Sequence, residues 1–156
     1  MVISGIDPGF DRMGCAVLEK TSKDENLLYS TCLVSDRKLS QEKRLLSLGR
    51  EIEKIIEKYE PDILAIEKLF FTKNQKTAMM VSEARGMILY LAAEKGIEVR
   101  ELTPLEIKMA LTGYGRAEKR QVKNMVKAIL RMKKMPKYDD EIDAIACSSS
   151  SGRALV

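Results

Sequence analysis

The chain contains no histidine. That absence removes histidine-based triads, HExxH zinc sites and every nuclease that relies on a histidine base. Any catalysis must therefore run on carboxylates, lysines or a bound metal. Cysteine is scarce as well. Cys15, Cys32 and Cys147 are odd in number and far apart, which fits neither a zinc spacing nor a disulfide framework and leaves reduced, mostly buried thiols. No apolar run approaches the ~20 residues that a membrane span needs. The first residues lack the basic-then-apolar pattern of a signal peptide, so the expected location is cytoplasmic. Neither sign of charge dominates: 27 Lys and Arg stand against 23 Asp and Glu, a net charge of +4. Such an excess is compatible with nucleic acid without being diagnostic of it. Its distribution says more, because cations crowd the stretch from Lys108 to Lys137.

What is present is an ordinary globular composition, 45% hydrophobic and 32% charged over 156 residues, the size of one domain with a core of its own. Residues 2–7, 12–20 and 27–34 read as three strands on short connections, an antiparallel meander. Ser40 is placed to cap a helix whose apolar residues, Leu45 to Ile56, recur at helical spacing until Pro61 stops it. Residues 62–67 form an almost wholly apolar run, as expected of a strand buried on both faces. Residues 70–74 are loop-like, 75–95 helical up to Gly96, and 97–102 a fifth strand. Thr103, Pro104 and Glu106 spell a capping box with proline at the first helical position. A break at 112–115 precedes a basic helix over 118–132, and a short final helix begins at Asp139. With no repeat and no linker, the domain is expected to span 1–151, fraying through the serines at 148–151 into a tail at 152–156. The element order predicts an α/β fold, a five-stranded mixed sheet with helices on both faces, three antiparallel strands being followed by parallel additions.

Four acids organise this pattern. Asp7 ends the first strand before a Pro8-Gly9 turn, and Glu67 ends the apolar fourth strand. If those strands are parallel neighbours, both acids lie at the sheet's C-terminal edge, where open α/β sheets place their sites. Asp140 and Asp143 are three apart at a helix start and share one face. Brought together, like charges repel by roughly 4 kcal/mol per pair at ~4 Å and an effective dielectric near 20. Such a cluster calls for a cation, and an all-oxygen donor set suits Mg²⁺ or Mn²⁺ rather than zinc. One or two such ions would support in-line phosphoryl displacement. The plainer uses of the same acids are a turn-shaping Asp7 before Pro8 and helix N-terminal stabilisation for Asp140 and Asp143. Glu67 has a weaker plain use, since an acid ending such a strand needs a partner if buried.

These residues resemble a known family. Ile6-Asp7-Pro8-Gly9, Ala65-Ile66-Glu67-Lys68-Leu69-Phe70, the stretch from Asn74 to Gly86 with Ser-Glu-Ala-Arg-Gly, Ile107-Lys108 through Thr112-Gly-x-Gly115-x-Ala117-x-Lys119, and Asp140-x-x-Asp143-Ala144 together are similar to the RuvC Holliday-junction resolvases. The match runs from about residue 2 to 148. It implies a ribonuclease H-like fold, a homodimer, and Mg²⁺-dependent paired nicking of a four-way DNA junction. It also implies that Asp7, Glu67, Asp140 and Asp143 are the catalytic, metal-binding acids. Some relatives carry histidine at the position matching Asp140. Lys108 and Lys119 match lysines near the scissile phosphate, with Arg116, Arg120 and Lys123 extending the patch, and Phe70 matches an aromatic that stacks on an unpaired base. A branch-migration helicase is implied as a partner.

Helix 75–95 carries two apolar stripes, Ala78-Val81-Ile88-Ala92 and Met80-Ala84-Met87-Leu91. One is expected against the sheet and the other available to a two-fold partner. Three alternatives stay open: another ribonuclease H-like nuclease cutting RNA–DNA hybrids, a non-catalytic junction-binding module, and an actin-like phosphotransferase. The last lacks its second phosphate-binding Asp-x-Gly turn.

Overall fold

In the computed structural model, residues 1–68 and 75–153 are described. They follow the expected order: β1 (Val2–Asp7), β2 (Arg12–Lys20), β3 (Glu25–Val34), α1 (Gln41–Tyr59), β4 (Ile63–Glu67), α2 (Gln75–Glu94), β5 (Glu98–Leu102), α3 (Pro104–Thr112), α4 (Lys119–Ile129) and α5 (Asp139–Arg153). The sheet runs β3-β2-β1-β4-β5. β1, β2 and β3 pair antiparallel, and β4 and β5 add in parallel. This is the five-stranded mixed sheet anticipated from the element order.

The alternation within each strand sorts the core into two layers. Ile6, Cys15, Val17, Leu64 and Ile66 face α1 and α2 through Leu48, Ile52, Ile56, Ala84 and Ile88. Ile3, Ala16, Ile63 and Ala65 face α3, α4 and α5 through Ile107, Val122, Val126 and Ile145. β4 is apolar on both faces because each face is covered, which is why its terminal Glu67 stands out.

α5 crosses the sheet at unusually close range. A Cβ at Gly5 would lie 2.3 Å from the Ala144 carbonyl oxygen, and one at Gly14 would lie 1.8 Å from that of Asp140. At Gly5 and Gly14 the strands and the helix meet backbone to backbone, and a side chain there would not fit. The serine run is part of this packing and not a frayed tail. α5 continues to Arg153, and Ser148–Gly152 are buried. Ser148 and Ser150 donate to the carbonyls of Ile145 and Ala146 at 2.9 and 2.7 Å, while Ser149 donates to Glu25 at 2.5 Å. The hydroxyls of Ser148 and Ser150 are satisfied by their own helix and that of Ser149 by β3, so burying these three costs little.

The turn after Asp7 is pinned from α1. Buried Arg44 lies 4.2 Å from the Phe10 ring centre, donates to Ser35 Oγ at 2.7 Å and pairs with Asp11. Ser35 Oγ in turn donates to the Phe10 carbonyl at 2.7 Å. At α3 the capping box forms as read, with Glu106 N donating to Thr103 Oγ1 and Thr103 N to Glu106 Oε2. Ser40 occupies the α1 N-cap without a side-chain capping bond. α4 stops at Ile129, short of the expected 132, where Arg131 adopts a left-handed φ of 49°.

On α2, Ala84, Ile88, Leu91 and Ala92 are buried in one core layer, with Met80 and Met87 packed against it. Both expected stripes thus contribute to the monomer's core. The outward face is a third one, carrying Met79 and Tyr90, 65% and 63% exposed, with Gly86 between them facing open space.

Candidate active site

β1 and β4 run parallel and adjacent, with Ile6 opposite Ile66. Their terminal acids, Asp7 and Glu67, therefore leave the sheet side by side. α5 starts over β2 at Gly14, itself the partner of Asp7 across the antiparallel ladder. That contact delivers Asp140 and Asp143 to the same edge. At that edge the acids feel one another's charge. Asp7 is pushed up to about 7, first by burial and then by Glu67, Asp143 and Asp140, with Lys119 pulling the other way. Glu67 is also raised, by burial and then by Asp143.

Two cations answer this charge from the rim. Lys119, at the start of α4, bonds Asp143 at 2.8 Å and lies 3.6 Å from Asp139. Against partial burial, the bond to Asp143 and the fields of Asp143 and Asp139 hold its ammonium above the usual range. Arg12, at the start of β2, places Nε 3.3 Å from Asp140 Oδ2. Lys123 bonds Asp139 at 2.6 Å. Asp140 and Asp143 are thus turned toward these cations. Among the described residues no three acidic or thiol side chains stand close enough to share one ion. The four acids are gathered at one edge but not drawn into the tight coordination range expected of them.

Beside the carboxylates opens a cleft of about 230 Å³. Glu67, Asp143, Lys108 and Lys119 give it charge, and Pro104, Ile107, Val122 and Ala146 give it an apolar lining. Its charged lining combines two acids with two lysines, Lys119 being bonded to Asp143. Arg116 and Arg120 are exposed beyond it. Phe70, expected to face DNA, lies outside the described residues. Arg12 and Asp139 were not singled out from the pattern. Arg12 follows Asp7 by five residues, and that proximity was the available signal.

A family model described as "Crossover junction endodeoxyribonuclease RuvC" matches residues 3–150. This chain belongs to the RuvC family. The crossover junction endodeoxyribonuclease RuvC of Petrotoga mobilis is 44% identical over 152 residues, covering 97% of this chain and 93% of the relative. The structure of Thermus thermophilus RuvC in complex with Holliday junction substrate superposes with a TM-score of 0.94 at 29% identity, covering 99% and 94% of the two chains. The yeast mitochondrial Holliday junction resolvase shares the fold, with a TM-score of 0.67 at 14% identity over 97% of this chain and 78% of that one. Among the described residues, no helix is long and apolar enough to cross a membrane.

The donor set suits a hard divalent cation. All four candidate ligands are carboxylates, burial and then their mutual field lift Asp7, and Asp140 Oδ2 is buried without a directed hydrogen bond. Cysteine does not compete for the role. Cys15 and Cys147 are buried with thiols pushed up by burial, and Cys32 is raised to about 11 by burial and then by Asp140.

Proposed function

We propose that this chain is a structure-selective DNA endonuclease that resolves four-way junctions by paired symmetric nicks, in recombination and repair in the cytoplasm. The observation that carries the reading is the four-carboxylate edge facing a lysine-lined cleft, in a member of the RuvC family. Asp7, Glu67, Asp140 and Asp143 would hold Mg²⁺, with Mn²⁺ as a substitute, as one or two ions. Such an ion supplies an activated water and stabilises the leaving oxygen. The chain's own side chains do the rest. Asp7 and Glu67 form the fixed end of the site, because their strands are locked in the sheet. Lys108 and Lys119 neutralise the incoming phosphate and set its position without reading sequence. Arg116 and Arg120 extend that surface along the backbone. Phe70 stacks on a base at the crossover.

Without divalent metal, the protein is expected to bind a four-way junction at least roughly tenfold tighter than a linear duplex of the same sequence. Equal affinities would contradict junction selectivity. Lys119→Ala should reduce the slope of log K against log salt by about one phosphate contact. An unchanged slope would show that Lys119 serves only Asp143.

Two equivalent strands require two equivalent sites, and a two-fold dimer provides them. The outward face of α2 is the proposed interface. Met79 and Tyr90 offer apolar area there, and Gly86 allows a partner helix close approach. Met79→Arg combined with Tyr90→Glu should give a monomer by sedimentation while far-ultraviolet dichroism is retained, and nicks on the two strands should become uncoupled. A dimer that persists would move the interface elsewhere. A branch-migration helicase complex completes the proposed partners.

A further inference from the structure

Asp140 is held differently from the other three acids. Its main chain lies against β2, since the Cβ that Gly14 lacks would stand 1.8 Å from the Asp140 carbonyl oxygen. Its side chain returns to the same strand. Arg12, two residues before Gly14, places Nε 3.3 Å from Asp140 Oδ2. That oxygen is buried and accepts no directed hydrogen bond, so the guanidinium is its compensating charge. Tyr138, two residues before Asp140, has its ring centre 5.7 Å from the guanidinium carbon. Arg12 thus sits between the strand, the ring and the carboxylate, 52% exposed where Asp140 is 23% exposed.

A guanidinium in this place does two things. It restrains where the carboxylate points through charge, from a place set by the Tyr138 ring on which the guanidinium rests. It also cancels one unit of charge in a cluster of four acids. Lys119 does the same for Asp143 from the opposite side.

We propose that Arg12 is a positioning residue for Asp140, aiming this carboxylate and lowering the negative charge of the cluster. It rests on the nuclease reading of the four acids and extends it to a residue outside them. A divalent ion is then held less tightly than the acids alone would hold it, with Asp140 in the orientation that supports turnover. Loss of Arg12 therefore separates affinity from rate: the ion binds more tightly and the reaction slows.

The test uses the full chain with Arg12→Gln and Arg12→Lys. Calorimetric titration with Mn²⁺ in the absence of DNA should show Arg12→Gln binding roughly three- to tenfold more tightly, the Coulomb effect of one unit charge at a partly exposed site. Cleavage at saturating junction should fall roughly tenfold, with KM changed by less than about twofold. Arg12→Lys should keep wild-type Mn²⁺ affinity and recover only part of the rate, since an ammonium carries the charge without the planar face that rests on Tyr138. In an Asp140→Asn background the effect of Arg12→Gln on the rate should vanish, because the carboxylate it aims is gone, and its effect on Mn²⁺ affinity should shrink to what its charge exerts on the other three acids.

Unchanged Mn²⁺ affinity in Arg12→Gln, or an undiminished effect in the Asp140→Asn background, would overturn the proposal. So would a large rise in KM, which would make Arg12 a DNA contact in its own right. If Arg12→Gln does not fold, Arg12→Lys decides alone: slower cleavage at equal Mn²⁺ affinity supports the pair, and a wild-type rate overturns it. Wild-type protein that cuts no junction while the Mn²⁺ difference persists would refute the nuclease reading and leave the Arg12–Asp140 coupling standing.

Discussion

Asp7→Asn should bind a four-way junction with nearly unchanged affinity and cut it roughly 10³-fold more slowly, a loss of several kcal/mol of transition-state stabilisation. The lysines that bind phosphate remain in place, while the acid at the centre of the cluster no longer donates a full charge. A near-wild-type cleavage rate would remove Asp7 from the catalytic set. The same variant carries a stability prediction of opposite sign. In the folded protein the Asp7 carboxyl is raised from 3.8 to about 7, by burial and then by Glu67, Asp143 and Asp140. Between about pH 4 and 7 the folded state keeps a proton that the unfolded chain has released. Unfolding then releases protons, so stability falls as pH rises through this window. Above pH 7 the whole penalty is present, on the order of 4 kcal/mol. Asparagine has no charge to bury. In EDTA at pH 8, Asp7→Asn should therefore unfold at higher urea than wild type, and the gap should close toward pH 4. Added Mg²⁺ should stabilise wild type and leave the variant unmoved. A variant less stable than wild type at pH 8 would mean that Asp7 is not held against its neighbours' field.

Gly14→Ala should be the most damaging change that leaves every acid in place. The new methyl would stand 1.8 Å from the Asp140 carbonyl oxygen and 3.0 Å from the Glu141 nitrogen. Both are backbone atoms, so no side-chain rotation relieves the contact, and the first turn of α5 must lift from β2. The cost is expected near the top of the overpacking range, about 3 kcal/mol. Asp140 and Asp143 ride on that turn, so cleavage should fall further than the folded fraction alone predicts. Urea unfolding and single-turnover cleavage on the folded fraction measure the two effects. A variant of wild-type stability and rate would show that the strand and the helix do not meet as described.

The acids at the strand ends were legible because each followed an apolar run that needed no acid. β4 in particular is apolar on both faces up to Glu67, and its covering by helices on both sides bears that pattern out. The α3 capping box was equally legible, being local in sequence. The serines at 148–151 misled because a polar run reads as solvated, whereas here small size is the property selected. Ser148 packs against Gly5, and the hydroxyls of Ser148 and Ser150 bond back to their own helix. The two stripes of α2 misled for a related reason. A helix sunk between a sheet and α1 buries a wide arc, so counting apolar residues could not say which face stays free. Lys119 was marked by its motif, but the pairings of the rim cations were hidden by distance along the chain. Arg12 meets Asp140, and Lys119 meets Asp143, only because β2, α4 and α5 converge at one edge of the sheet. No local pattern encodes either pair.

The most direct test of the central claim is cleavage of a synthetic four-way junction in Mg²⁺ and in EDTA, beside a linear duplex and an RNA–DNA hybrid. The account predicts metal-dependent, symmetric nicks on two strands of the junction, with both linear substrates left intact. Cleavage of the hybrid in place of the junction, or tight junction binding without cutting in Mg²⁺ or Mn²⁺, would contradict it.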